Sequence, residues 1–233
     1  MYKYIAKYLL LPKVFRFFGV VVLPSLFIGL VGFFICSYLA LFVLPADATQ
    51  QEIYRILFVH VPAAIFSELI YIFMACCGFI YLVWKTKISA IMLRSAISLG
   101  LVFTLIVLIS GAIWGKPTWG TYWVWDARIT STFILLIQYI GLLALRTSFN
   151  TMQTTDQILS IVAIVGAINI PIIKFSVNWW NTLHQNASIT FSGSSIDAEM
   201  LYVLPLMLIS FGFIAFSIFG RKLRVLAMIG SVS

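Results

Sequence analysis

Two residue types, by where they fall, dominate the chemistry open to this chain. Four of its seven tryptophans, Trp114, Trp119, Trp123 and Trp125, lie within one short stretch that also carries Gly115, Lys116, Pro117, Gly120, Asp126 and Arg128. The chain has only two histidines, His60 and His184, one on either side of that stretch. Tryptophans at the ends of apolar segments can form an aromatic belt at the headgroup level of a membrane, and Trp114 fits that reading. A belt has no use for glycines and a proline threaded between the rings, which demand specific turns. A dense group of rings in a shaped loop is instead a platform for a large, flat, apolar ligand that gains edge and offset contacts with each ring.

A lone histidine at a membrane interface is usually just a polar residue satisfied by water. Beside such a platform, two imidazoles have a sharper use, because a metalloporphyrin is flat and aromatic and carries an iron that accepts neutral imidazole axially. Its two propionates favour Arg or Lys. On the side of the chain where both histidines fall, the cations are Arg55, Lys116, Arg128 and Lys174. For Arg128, an ion pair with Asp126 is the alternative.

The elements that must position these groups follow from composition. Of 233 residues, 62% are hydrophobic and 9% charged, against about 45–50% and 25% in a soluble domain. A water-soluble fold is excluded. Weakly charged stretches run from Phe17 to Ala46, Val61 to Trp84, Ser95 to Gly115, Ile129 to Leu145, Gln157 to Ile173 and Met200 to Gly220. At roughly 20 residues per crossing, these predict an all-α integral membrane protein of six transmembrane helices, a single membrane domain over residues 1–233. The fourth and fifth stretches are near the lower limit for crossing, and the first is long enough to tilt. Residues 2 to 16, which mix cations with Tyr, Leu, Ile and Phe, are expected as an amphipathic helix on the inner interface.

Lys3, Lys7, Lys13, Arg16, Lys85, Lys87, Arg94, Arg146, Arg221, Lys222 and Arg224 fall on the side of the termini, and the other four of the 15 cations fall opposite. The net charge of +8 is therefore read as orientation and not as a nucleic-acid surface, with the termini cytoplasmic. The outer loops are then residues 47 to 60, 116 to 128 and 174 to 199. The inner loops are short and leave no room for a nucleotide site. Cys36, Cys76 and Cys77 lie in apolar runs without a zinc or disulfide spacing. Glu68 is the one acid expected inside a span, where such residues are functional candidates unless they are simply hydrogen-bonded to another helix. Pro24, Pro171 and Pro205 are expected to kink or end helices. Trp179 and Trp180 either cover a ligand or anchor the third outer loop.

The segment Trp119-Gly-Thr-Tyr-Trp123-Val-Trp125-Asp126-Ala-Arg128 resembles the WWD signature of the haem-handling proteins of cytochrome c biogenesis. With six expected spans and a histidine on each flanking outer loop, the chain resembles, over essentially its whole length, the haem exporter protein C family of the cytochrome c maturation system. The larger relatives in that system have many more spans and further histidines.

The resemblance implies that His60 and His184 are axial ligands of haem iron. Trp114, Trp119, Trp123, Trp125, Asp126, Arg128 and Arg55 form the expected surroundings of the ligand. It implies a haem-handling component, not an enzyme. Such a component holds haem b as cargo at the outer face of a bacterial inner membrane and passes it to the membrane-anchored haem chaperone E. It also implies partners: an ABC ATPase subunit, its membrane subunit and a small single-span subunit, so that ATP use belongs to a partner. The absence of a transit peptide favours a bacterial or organelle-encoded chain. A membrane b-type cytochrome would need histidines within spans facing a bundle interior. A solute permease would need broken helices and ionisable groups at mid-membrane.

The charge distribution sets a test of orientation. In a variant lacking the three native cysteines, a cysteine at position 123 is expected to react with an impermeant maleimide from the outer side of intact cells or spheroplasts. Labelling only after the inner face is opened would reverse the topology.

Overall fold

The computed structural model describes residues 11–184, 189–190, 193–194 and 198–232. Most of the expected interfacial helix over residues 2 to 16, and Asp197 of the third outer loop, lie outside the described residues. In hydrocarbon every backbone N–H and C=O must find a partner within the protein, and a helix achieves this inside one segment. Among the described residues, six helical segments are long and apolar enough to cross a membrane: Pro12–Val43, Glu52–Trp84, Lys87–Trp119, Ala127–Leu145, Met152–Trp179 and Glu199–Met228. The architecture is all-α. Among the described residues the strands are Ile189–Thr190 and Gly193–Ser194, a short antiparallel pair in the third outer loop.

Helix α1, Leu11–Tyr38, passes through Pro24 and ends in a π-turn, Leu39–Val43. A 3₁₀ turn, Glu52–Ile56, leads directly into α2, Leu57–Trp84. Helix α3, Lys87–Trp119, extends well beyond the expected Ser95 to Gly115 at both ends. It stops where Gly120 adopts φ +80° and its N–H donates to the Lys116 carbonyl at 3.0 Å, a left-handed helix cap for which glycine carries no Cβ penalty. Helix α4, Ala127–Leu145, agrees with expectation to within two residues.

The expected fifth span is broken. Helix α5, Met152–Gly166, and helix α6, Asn169–Trp179, are separated by a turn at Ala167 and Ile168. The polar groups around the break are met from neighbouring helices. Gln138 Nε2 donates to the Gly166 carbonyl at 3.2 Å, and Asn169 Nδ2 donates to the Ser131 carbonyl at 2.9 Å. After the short helix α7, Ala198–Leu201, the last span is α8, Val203–Val232, with Pro205 in its first turn, where it lacks no bond it needs.

Helices α2 and α3 pack along each other at the centre, flanked by α4, α5 and α8, and α1 lies outside, against α8. Tyr139 of α4 is fully buried, donates from its hydroxyl to the Ser67 carbonyl at 2.7 Å, and meets Tyr71 edge-on at 5.2 Å. It fits because Gly100 of α3 has no side chain where the Tyr139 ring sits. Between α1 and α8, Gly29 and Gly32 face Ile214 and Ser210, the small-residue contact that brings membrane helices close.

Near the N-terminal end of α3, Arg94 and Asp156 form a buried ion pair at 3.1 Å between α3 and α5. Hydropathy puts Asp156 in a loop and leaves Glu68 as the only intraspan acid; α5 in fact begins at Met152 and takes Asp156 into its second turn. Removing one partner of a buried pair leaves an uncompensated charge. Arg94→Ala is expected to lower stability by about 3–5 kcal/mol in denaturant titration of the detergent-solubilised protein. The double substitution Arg94→Met with Asp156→Leu should recover most of that loss.

Candidate functional site

The C-terminal end of α3 organises the site. His60 is the fourth residue of α2, not part of the loop before it, because the 3₁₀ turn runs into the helix without a gap. Its ring lies against one face of α3. Nδ1 is 2.9 Å from Ser110 Oγ, and Trp114 meets the imidazole edge-on with ring centroids 5.6 Å apart. Gly111 leaves room for the ring: a Cβ there would stand 3.1 Å from His60 Cε1. Trp114 is fixed in turn by its indole N–H, which donates to Gln50 Oε1 at 2.8 Å. Gln50 is held by the first outer loop, where Asp47 Oδ1 accepts from the N–H groups of Thr49 and Gln50 at 2.9 and 2.7 Å.

His184 stands in the third outer loop, with its ring centroid 6.3 Å from that of Trp119, the last residue of α3. Gly115 is buried one turn below and makes room for the indole, since a Cβ there would be 2.9 Å from Trp119 Cε3. The two imidazoles, remote in sequence, each lie beside a tryptophan of the C-terminal turns of α3. A single helix end therefore presents one tryptophan to each histidine.

Asp126 couples the second and third outer loops. Oδ1 accepts from the Ile129 N–H at 2.8 Å, capping α4, and Oδ2 accepts from the Leu183 N–H at 3.1 Å, next to His184. Both oxygens thus serve backbone. The alternative ion pair of Arg128 with Asp126 does not form: Arg128 Nε donates to Ser176 Oγ at 2.8 Å, and its NH2 group to the Lys174 carbonyl at 3.4 Å. Arg55, expected to meet the ligand, binds elsewhere as well. Its guanidinium donates to Glu52, to the Ala40 carbonyl and, at 3.1 Å, to the Leu44 carbonyl. The π-turn ending α1 leaves those carbonyls accessible, and Arg55 ties the first outer loop to them.

The tryptophan stretch is not one stacked platform. Trp114 and Trp119 are helical, and only Gly120 to Asp126 is loop. Trp123 and Trp125 form an edge-on cluster with Phe133, with centroids 5.3–5.9 Å apart. Trp125 is 70% exposed, whereas Trp123 Nε1 is a buried donor with no partner among the described residues. Lys116 Nζ donates to the Gly120 carbonyl at 3.0 Å and lies over the Tyr122 ring. Trp179 and Trp180 are exposed at the end of α6, Trp179 stacked on Phe175. Glu68 and Lys174 line an open groove of about 520 Å³ with Pro171 and Phe175, beside the break in the fifth span.

Sequence reasoning missed Ser110, Gly111, Gln50, Ser176 and Phe133. Ser110 carried a signal, lying one helical turn before Trp114 and so on the same face. Gln50 and Ser176 carried none, because their partners are distant in the chain.

Asp126→Ala is expected to lower stability by about 1 kcal/mol through loss of the cap and to speed amide hydrogen exchange at Leu183 and His184. Asp126→Asn keeps an oxygen for the cap but not a second acceptor for Leu183, so exchange at 183 and 184 should still rise with little loss of stability. Unchanged exchange in both variants would show that Asp126 does not hold the third loop.

The profile of the Heme exporter protein C family matches residues 5–231. The chain is 46% identical over 173 residues to Heme exporter protein C of Escherichia coli strain K12, covering 74% of this chain and 69% of that one. Identity to Heme exporter protein C of Haemophilus influenzae is 44% over 181 residues, or 77% and 73% of the two chains. It is 48% over 177 residues to a ccmC-like mitochondrial protein of cytochrome c biosynthesis from Marchantia polymorpha, covering 76% and 75%. With a profile match that runs through all six spans and both histidines, this chain belongs to the Heme exporter protein C family.

Proposed function

We propose that this protein holds haem at the outer face of a bacterial inner membrane, between His60 and His184, and presents it to haem chaperone E for cytochrome c maturation. The observation that carries this reading is the pairing of each histidine with a tryptophan of one helix end, Trp114 with His60 and Trp119 with His184. Family membership supports haem as the cargo. The donor set suits it: two imidazoles for the iron, ring edges for the porphyrin, and the buried, unpartnered Trp123 N–H as a donor for a polar group. The haem would supply an iron that accepts two imidazole lone pairs.

The rest is the work of the chain. His60 is clamped between two packed helices, and His184 rides on a loop held at Leu183 by Asp126. The two mountings differ in stiffness, so release begins at His184, where movement of one loop withdraws a ligand without disturbing the bundle. A bound group leaves only when some state of the protein binds it less well. The partners implied by the family, an ABC ATPase subunit with its membrane subunit and a small single-span subunit, are the source of that difference. The broken span beside Glu68 is the feature a solute permease would share, and family membership favours haem handling.

An absorbance spectrum of the purified, haem-loaded protein decides the ligands. His60→Ala and His184→Ala are each expected to lower haem retention and shift the iron from a low-spin to a high-spin spectrum, since one axial bond is lost. Trp119→Ala and Trp123→Ala should weaken retention by about 0.5–1.5 kcal/mol with the low-spin spectrum kept. A histidine variant with unaltered spectrum and haem content is not a ligand.

A further inference from the structure

Ser110 Oγ stands 2.9 Å from His60 Nδ1, 2.5 Å from the Ile106 carbonyl oxygen one turn back on α3, and 3.3 Å from the Val107 carbonyl oxygen, a second acceptor on the same side. A hydroxyl has one proton. Two oxygens at 2.5 Å need a proton between them, because a carbonyl cannot donate, so the Ser110 O–H is committed to Ile106. What remains towards His60 is a lone pair, and a lone pair accepts only from an imidazole N–H. Ser110 therefore requires His60 Nδ1, the nitrogen that faces α3, to carry the proton.

We propose that Ser110 is a positioning residue for His60: it holds the imidazole as the Nδ1–H tautomer and so directs the unprotonated Nε2 lone pair to the bound haem. This rests on His60 being a haem ligand. A neutral imidazole binds metal through whichever nitrogen lacks the proton, and the hydrogen bond of the other nitrogen decides which that is. Free imidazole side chains exchange between tautomers, and only one of the two can ligate from Nε2. Three residues of one α3 face divide the task. Ser110 sets the proton, Gly111 admits the ring at 3.1 Å from its own Cβ position, and Trp114 stops the ring tilting away at 5.6 Å. The hydrogen bond also makes the imidazole a stronger donor to oxidised iron, which lowers the reduction potential of a haem bound there.

The chain has two histidines, so ¹⁵N-histidine labelling of a His184→Gln variant leaves His60 as the single reporter. In the haem-free protein its spectrum is expected to show Nδ1 protonated and Nε2 bare. Ser110→Ala should replace that single tautomer by a mixture, and Ser110→Thr, which keeps the hydroxyl, should restore it. In haem-loaded protein with both histidines, Ser110→Ala should weaken haem binding about 10-fold and raise the midpoint potential, with Ser110→Thr near the starting values. Nε2 protonated in the haem-free protein, or a tautomer unmoved by Ser110→Ala, would overturn the proposal. The tautomer is read without haem, so it stands apart from the ligand assignment. A correct tautomer with a His60→Ala spectrum unchanged would refute the haem-ligand reading, and with it the direction of Nε2 towards haem.

Discussion

A helix of 33 residues is about 50 Å long at 1.5 Å per residue, and the hydrocarbon core it crosses is about 30 Å. Helix α3 is therefore longer than the core it crosses, and the candidate site depends on the extra turns at its C-terminal end. Its outer turns carry Ser110, Gly111, Trp114 and Trp119 as a rigid column, onto which His60 is packed from α2 and beside which His184 is set by the third loop. Had α3 stopped at the headgroups, the same side chains would stand on a loop and each would need its own restraint. The glycine cap at Gly120 ends the column directly after Trp119.

Around that column the charged residues act as ties more than as ligand contacts. Arg55 closes the π-turn that ends α1, Asp126 joins the start of α4 to Leu183, and Arg128 reaches Ser176 on α6. Each uses a charged or polar group to satisfy backbone or hydroxyl atoms near the edge of the hydrocarbon, where an unmet polar group is costly. The consequence is a surface in which Asp126 joins the second loop to the third, while the first loop is tied by Arg55 to the end of α1. Gln50 extends the same pattern by fixing Trp114 from the first loop. The imidazoles are thus placed by a network in which every outer loop takes part.

Deeper in the bundle the same economy governs the broken fifth span. A backbone break in hydrocarbon is tolerated only where neighbours replace the lost bonds; Gln138 of α4 donates to the Gly166 carbonyl at the break, and Asn169 at the break donates back to the Ser131 carbonyl of α4. The N-terminal end of α3 relies on charge instead, with Arg94 and Asp156 paired out of water. Packing at the centre depends on the absence of side chains at Gly100 and Gly166, where Tyr139 and Tyr71 take up the room.

Much of this was legible in the chain. The number of spans follows from hydropathy, a property summed over neighbouring residues, and α4 was placed closely because its ends are marked by Asp126 and Arg146. The two histidines and the tryptophan stretch could be singled out because rare residues crowded into short segments need no knowledge of the fold. The family resemblance rested on the same segment. The tertiary structure decided everything that depends on partners far along the chain: that α3 runs on to Trp119, that the fifth span breaks, and that Asp126 and Arg128 part company. It also decided that Arg55 faces carbonyls and that Ser110 faces His60. Hydropathy and motif are local sums over the sequence, whereas a hydrogen bond goes to whichever donor or acceptor the packing of distant helices brings within about 3 Å, and that choice is made only when the helices meet.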